Sequence, residues 1–310
     1  MAIDDLLLYC QFEKNLSSKT IKAYRTDLLQ LENFLLVKDY DIDITKITKI
    51  ELREYLVSIS ALKGKSIKRK VASIKILFNF LEFEDKLTVN PLRKMRINIK
   101  EAHKLPVVMD IREISKIFKI AYNIKNQIKD VNSYSYLEAV RNIVIIELLF
   151  TTGARVSEIA DLKEENINLN TGNIMIKGKG NKERIIQICN KESISILKDY
   201  YKLFKSKIEN AGNNFLINRF SKKLSDQSIR NLVRKLAIEA NISKRITPHL
   251  FRHSFATLLL ENDVDIKYIQ SLLGHSSIMT TQIYTHVNKV KQRKILRTKH
   301  PRRDFSMVVN

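Results

Sequence analysis

The chain has 310 residues, 44% of them hydrophobic, and 55 lysines and arginines against 33 acidic residues give it a formal net charge of +22. That hydrophobic fraction supplies real cores and excludes a disordered polycation, while the surplus of positive charge calls for a polyanion. Nucleic acid is favoured over membrane because no amphipathic anchor stands out. Two cysteines, Cys10 and Cys189, lie far apart with no metal-ligand spacing, which excludes a disulfide framework and suggests a reducing compartment. The start, MAIDDLLLYCQF, is acidic with a short apolar run, neither a signal peptide nor a spanning helix, so a cytoplasmic protein is expected. At roughly 150 residues per domain the length predicts about two domains.

Residues 1–97 read as wholly helical. Ser17 or Ser18 caps a segment in which Ile21, Tyr24, Leu28, Leu31 and Leu35 recur at helical spacing, and Thr48 caps a helix through about Ile59. The stretch LKGKSIKRKVASIKILFNFL has two faces. Lys63, Lys65, Lys68, Arg69 and Lys70 crowd its first half without an acid, whereas Val71, Ile74, Leu77, Phe78 and Leu81 form an apolar stripe. Such a helix suits lying against a DNA backbone, and those five cations are its predicted contacts. Asn90–Pro91 ends the helical pattern, because the residue before proline resists helix. Residues 98–106, basic, weakly periodic and closed by Pro106, are predicted to be a linker to a second domain over 107–310.

In the second domain a helix is predicted from Ile111 to about Ala121. The polar stretch Tyr122–Tyr136 reads as a surface insertion or a helix extension, and Leu137–Phe150 as a strongly apolar central helix. Gly153 breaks that helix and VSEIADL resumes one, which sets Arg155 at an elbow beside the free N–H groups of a helix start. Residues 173–176 and 184–189 switch to strand character around KGKGNKE, a hairpin with Lys179 in its loop; a phosphate-binding P-loop is rejected because G-x-x-x-x-G-K-[ST] is absent. Helices follow at about 193–209 and 227–240. Thr247 is the predicted N-cap of a helix with Pro248 first in it, which places His249 and Arg252 three apart on one face. A further helix, from about Asp263 to Leu273, stops at Gly274, so that His275 occupies a turn; Ser276 or Ser277 then caps a short segment carrying Tyr284. The tail beyond is strongly basic with an apolar edge of Val290, Ile295 and Leu296, predicted to dock on a neighbouring subunit rather than fray.

These residue types fit phosphodiester cleavage, which needs a nucleophile, neutralisation of the non-bridging oxygens and a proton for the leaving oxygen. Arg155 and Arg252 can each fork onto phosphate oxygens, which lysine does less well. His275 adds a donor, His249 takes or positions the tyrosine proton, Lys179 protonates the departing 5′ oxygen, and Glu158 orients a site residue from behind. Tyr284 attacks and holds the DNA as a phosphotyrosine. His249 and His253 are four apart, but without the glutamate of H-E-x-x-H no metal is expected.

The segments TGARVSEIADL, KGKGNKER, HLFRHSFAT, LLGHSS and IYTHV, in that order, resemble the signature boxes of the tyrosine recombinase/integrase family, most similarly its Xer-type branch. The likeness runs from LSSKTIKAYRTDL to KHPRRDF. It implies a mainly α fold with a small β-sheet: an N-terminal helical, SAM-like core-binding domain and a C-terminal DNA breaking-rejoining domain. It also implies Tyr284 as nucleophile, assisted by Arg155, Lys179, His249, Arg252 and His275, and neither metal nor nucleotide cofactor. The partners implied are double-stranded DNA with specific recombination sites and three further copies of the chain in a tetrameric synapse, with room for a second recombinase or accessory protein. Strand exchange through a Holliday junction follows. A type IB topoisomerase-like activity and a non-catalytic DNA-binding role are the alternatives. Chromosome dimer resolution, integration and inversion stay open as biological roles.

Overall fold

A computed structural model describes residues 2–99, 107–178, 183–274 and 289–307. The chain divides into two compact units, Met1–Leu105 and Pro106–Asn310. Both are built of helices, and the second also holds one small sheet.

The first unit contains α1 (Ala2–Phe12), α2 (Ser18–Val37), α3 (Lys49–Ser58) and α4 (Gly64–Phe83), followed by a 3-10 turn at Pro91–Lys94. Their starts follow from local chemistry. The Ser17 hydroxyl accepts from the Thr20 amide, and Thr48 forms a reciprocal capping box with Glu51, whose carboxylate takes the Thr48 amide at 2.8 Å. The predicted stripes are the ones buried: Leu28, Leu31 and Leu35 from α2 meet Leu77, Phe78 and Leu81 from α4, all fully enclosed. Each such side chain stabilises the fold by about 1.5–3 kcal/mol through the surface it removes from water. One polar cluster interrupts this core. Asp27 on α2 is completely buried and accepts from Arg69 Nη1 at 2.6 Å, Lys70 Nζ at 3.2 Å and Ser73 Oγ at 3.0 Å, all from α4.

The second unit runs α5 (Ile111–Gln127), α6 (Tyr134–Thr152), α7 (Val156–Ala160), β1 (Ile167–Asn168), β2 (Asn173–Lys177), β3 (Glu183–Gln187), α8 (Lys191–Asn210), α9 (Asp226–Glu239), α10 (Pro248–Glu261), α11 (Ile266–Leu273) and α12 (Lys289–Lys299), then a 3-10 turn at Pro301–Asp304. The sheet is antiparallel in the order β1-β2-β3, with Ile174 opposite Ile186 and Ile176 opposite Arg184. Helix α6 is the pivot. From Ala139 on it is buried around almost its whole circumference, mostly by apolar side chains but with Arg141 and Glu147 enclosed among them, and α5, α8 and α10 pack on it. The stretch Tyr122–Tyr136 is mostly helix: α5 continues to Gln127, Ser133 caps α6, and only 128–133 connect them. Tyr122 is drawn inward because its hydroxyl donates to the buried Glu147 at 3.2 Å.

The basic tail packs on its own unit. Leu296 is buried in the same core as α6 and α10, with Ile295 partly buried beside it. Beyond α12, Arg302 is fully enclosed, where its guanidinium bonds Glu147 at 2.8 Å and Glu192 at 3.1 Å and lies over the rings of Phe118 and Phe305. The predicted docking edge is therefore real in Ile295 and Leu296, but in the single chain it is satisfied internally; the Val290 side chain lies outside the description.

Candidate active site

The site is assembled where α6 ends. Thr152 Oγ1 accepts from the Ala154 amide at 3.1 Å, Gly153 turns the chain in the left-handed region at φ +58°, and α7 starts at once with Arg155 as its N-cap residue. The turn needs glycine on two counts. Its φ is one that side chains disfavour, and a Cβ there would lie 2.5 Å from Phe255 Cδ1. The elbow predicted around Arg155 is thus a close approach of α6 to α10.

Arg155 projects a half-exposed side chain from that elbow. Glu158, one turn along α7 and buried, accepts from the Arg155 amide at 2.8 Å and from its Nη1 at 2.7 Å. Burial pushes the Glu158 carboxyl up, but the hydrogen bonds from Arg184 and Arg155 outweigh it and hold its pKa below the usual carboxylate value. Beside Glu158 stands Arg184, a residue no motif in the sequence singles out, which reaches over from β3. Its Nη2 and Nη1 bind the two Glu158 oxygens at 2.7 and 3.3 Å, and its Nε donates to Leu272 O at 2.8 Å. The only signal for it in the sequence was its place at the end of KGKGNKER, five residues after Lys179.

Arg252 comes from α10, which starts as predicted: Thr247 Oγ1 accepts from the Leu250 amide and Pro248 is the first helical residue. The Arg252 side chain is buried and runs under the elbow, with Nη1 donating to Gly153 O at 2.8 Å and Nη2 to Leu273 O at 2.7 Å. Burial first, then the neighbouring Arg155 charge, push it down to about 10, which leaves it cationic at neutral pH. His249 is exposed on the first turn of the same helix. Helix α11 ends at Gly274, left-handed at φ +63°, as the predicted stop requires.

The structure therefore brings Arg155, Glu158 and Arg252 to one place and adds Arg184. Lys179, His275 and Tyr284 lie outside the described residues, as do the predicted serine caps at 276 and 277. Of the described flanks, strand β3 carries Arg184 and the end of α11 is hydrogen-bonded to it. Three guanidinium groups around one carboxylate leave a strong local positive charge, suited to a phosphate.

In the first unit, Lys63, Lys65, Lys68 and Arg69 are exposed at the start of α4, a placement that phosphate contacts would require. Lys70 is a correction. It is buried, with its ammonium held by Asp27 and Gln30, because the helical turn that exposes Lys68 and Arg69 faces Lys70 toward α2; it is a residue of the core. Arg69 combines both situations, half-exposed yet bonded to Asp27.

Two family models match the chain: the phage integrase family over residues 121–291 and the phage integrase N-terminal SAM-like domain over residues 3–85. The chain is 44% identical to a tyrosine recombinase of Agathobacter rectalis, covering 98% of this chain and 97% of that protein. It is 36% identical to tyrosine recombinase XerD of Staphylococcus saprophyticus, covering 97% and 98%. Among solved structures, XerH site-specific recombinase bound to difH substrate in a pre-cleavage complex is 26% identical with a TM-score of 0.66, over 94% of this chain and 83% of that one.

Proposed function

The chain belongs to the phage integrase family and is a tyrosine recombinase, a site-specific DNA strand transferase, and from that premise we propose which of its residues cut and rejoin DNA. Tyr284 is the nucleophile. Its phenolic oxygen attacks the scissile phosphorus, the bond to the 5′ oxygen breaks, and a 3′-phosphotyrosyl linkage holds the strand while a free 5′ hydroxyl leaves. His249 accepts or positions the tyrosine proton, and Lys179 gives a proton to the departing oxygen. Arg155 and Arg252 neutralise the non-bridging oxygens, and His275 donates a further bond. Attack by the 5′ hydroxyl of a second duplex reverses these steps and rejoins the strand, so two rounds pass through a Holliday junction. Nucleophile, proton transfers and charge neutralisation all come from side chains, so no cofactor enters this reading.

The observation that supports it most is the bracing of Arg252 by Gly153 O, two residues before Arg155. Parts of the chain almost a hundred residues apart in sequence meet at this elbow, which supports a reading in which both guanidinium groups serve one phosphate. We further read the working form as a tetramer on two double-stranded recombination sites, in the cytoplasm, with a second recombinase or accessory protein as an admissible partner. Among the described residues no helix is long and apolar enough to cross a membrane.

The test selects a binding site from a randomised duplex pool with the native protein and places a nick beside it as a suicide substrate. Native protein is expected to form a covalent band, and Tyr284→Phe to bind the duplex equally without one. A band from the Phe variant would reassign the nucleophile. Relaxation of supercoiled DNA that lacks paired sites would favour the topoisomerase-like alternative, and binding without any native band would favour the non-catalytic one.

A further inference from the structure

Arg184 has no role in the chemistry above, yet it is the most connected cation of the site. Its side chain is only 12% exposed, against 44% for Arg155, so it does not present its fork to solvent. Every nitrogen is aimed at a protein acceptor: Nε at Leu272 O, Nη1 and Nη2 at the two oxygens of Glu158.

Two consequences follow from that wiring. The first is positional. The last carbonyls of a helix have no partner of their own, and here Leu272 O goes to Arg184 while Leu273 O goes to Arg252. Gly274 lies directly on this support, since a Cβ on it would sit 3.1 Å from Arg184 Nη1. The end of α11, strand β3 and the Arg155 elbow are thereby fixed to one guanidinium. The second consequence is electrostatic. A lone Arg155–Glu158 pair would be neutral and of little use to a phosphate. With Arg184 bound to the far side of the carboxylate, the trio keeps a net positive charge, and the exposed face of Arg155 carries it.

We propose that Arg184 is a positioning residue for strand cleavage: it ties the end of α11 and the elbow of Arg155 to strand β3, and it offsets Glu158 so that Arg155 remains an effective cation. This rests on the cleavage chemistry proposed above. Charge on the phosphate grows toward the transition state, so the loss falls on the cleavage rate more than on DNA binding. Lysine cannot replace the arginine, because one ammonium does not reach a backbone carbonyl and both carboxylate oxygens in the same plane.

The full chain, Arg184→Gln and Arg184→Lys are compared on the selected nicked duplex, with the affinity for the duplex and the single-turnover rate of covalent adduct measured separately. Both variants are expected to bind within about threefold of native, with the Gln variant about 10²-fold slower in adduct formation and the Lys variant still roughly tenfold slower. Native-like rates in either variant would overturn the proposal. So would loss of binding in step with rate, or loss of the helical signal in both variants, since Arg184 would then serve the fold alone. A native protein that forms no adduct would instead sink the cleavage reading itself.

Discussion

Gly153 carries more of the site than any charged residue, because its carbonyl holds Arg252 while its missing side chain admits Phe255. Gly153→Ala meets strain in the left-handed turn and a carbon 2.5 Å from the ring, so a loss of about 2–4 kcal/mol is expected by denaturant titration. Adduct formation should fall further than stability, since any shift of the elbow moves both arginines. A loss under about half a kcal/mol would show that the helices re-pack freely. In the first unit, Asp27→Asn leaves Lys70 buried beside a neutral partner, and a cost of about 3–5 kcal/mol is expected, read in the same way. The elbow, the caps and the stop at Gly274 were legible in the sequence because each is encoded within four residues. Arg184, Arg302 and Lys70 were not. Each is a cation whose burial depends on a carboxylate 26, 155 or 43 residues away, and a single sequence shows only that the cation stands in a basic run.

At the level of elements, periodicity located the helices and the hairpin, but it did not say which surface the tail covers. The turn after α12 is held by His300, whose Nδ1 accepts from the Arg302 amide at 2.9 Å and whose Nε2 lies 3.2 Å from Thr151 O. The ring must therefore be neutral with its proton on Nε2, as protonation would set an N–H against the Arg302 N–H. Burial, with the nearby Arg302 charge adding to it, pushes His300 down to about 4, below its ordinary 6.5. A depressed histidine means that the released tail binds the proton and the docked one does not. Docking is then at full strength above pH 6.5 and weakens as pH falls toward 4, by roughly 3 kcal/mol at the end of that window. Glu192, which also bonds Arg302, is held low, so its share of the docking is present above the ordinary carboxylate range and is lost only below it, apart from most of the histidine's window. Amide exchange over residues 302–305, corrected for intrinsic rates, should speed up between pH 7.5 and 5, and His300→Gln should flatten that dependence. Unchanged protection across this range would show that the tail is held without the histidine.

At the scale of the molecule, a net charge of +22 guarantees attraction to any polyanion but does not say which cations touch it. Counterion release makes the distinction measurable, because affinity for duplex DNA falls with salt by a power close to the number of phosphates neutralised. Lys63 and Lys65 are exposed at the start of α4, so replacing either by alanine should lower the slope of log affinity against log salt by about 1, with site preference unchanged. Lys70, further along the same helix, should behave otherwise. Its ammonium is spent on Asp27 and Gln30, so Lys70→Ala should lower stability and leave the salt slope of the folded protein near the native value. Fluorescence anisotropy across a potassium chloride series, with a melt on each variant, reads both quantities. Equal slopes for native and for Lys63→Ala, Lys65→Ala would remove this face of α4 from the DNA interface and leave its lysines as a solvated surface. A reduced slope for Lys70→Ala with unchanged stability would mean that the buried ion pair opens when DNA binds, since only a cation that reaches the phosphates can release counterions from them.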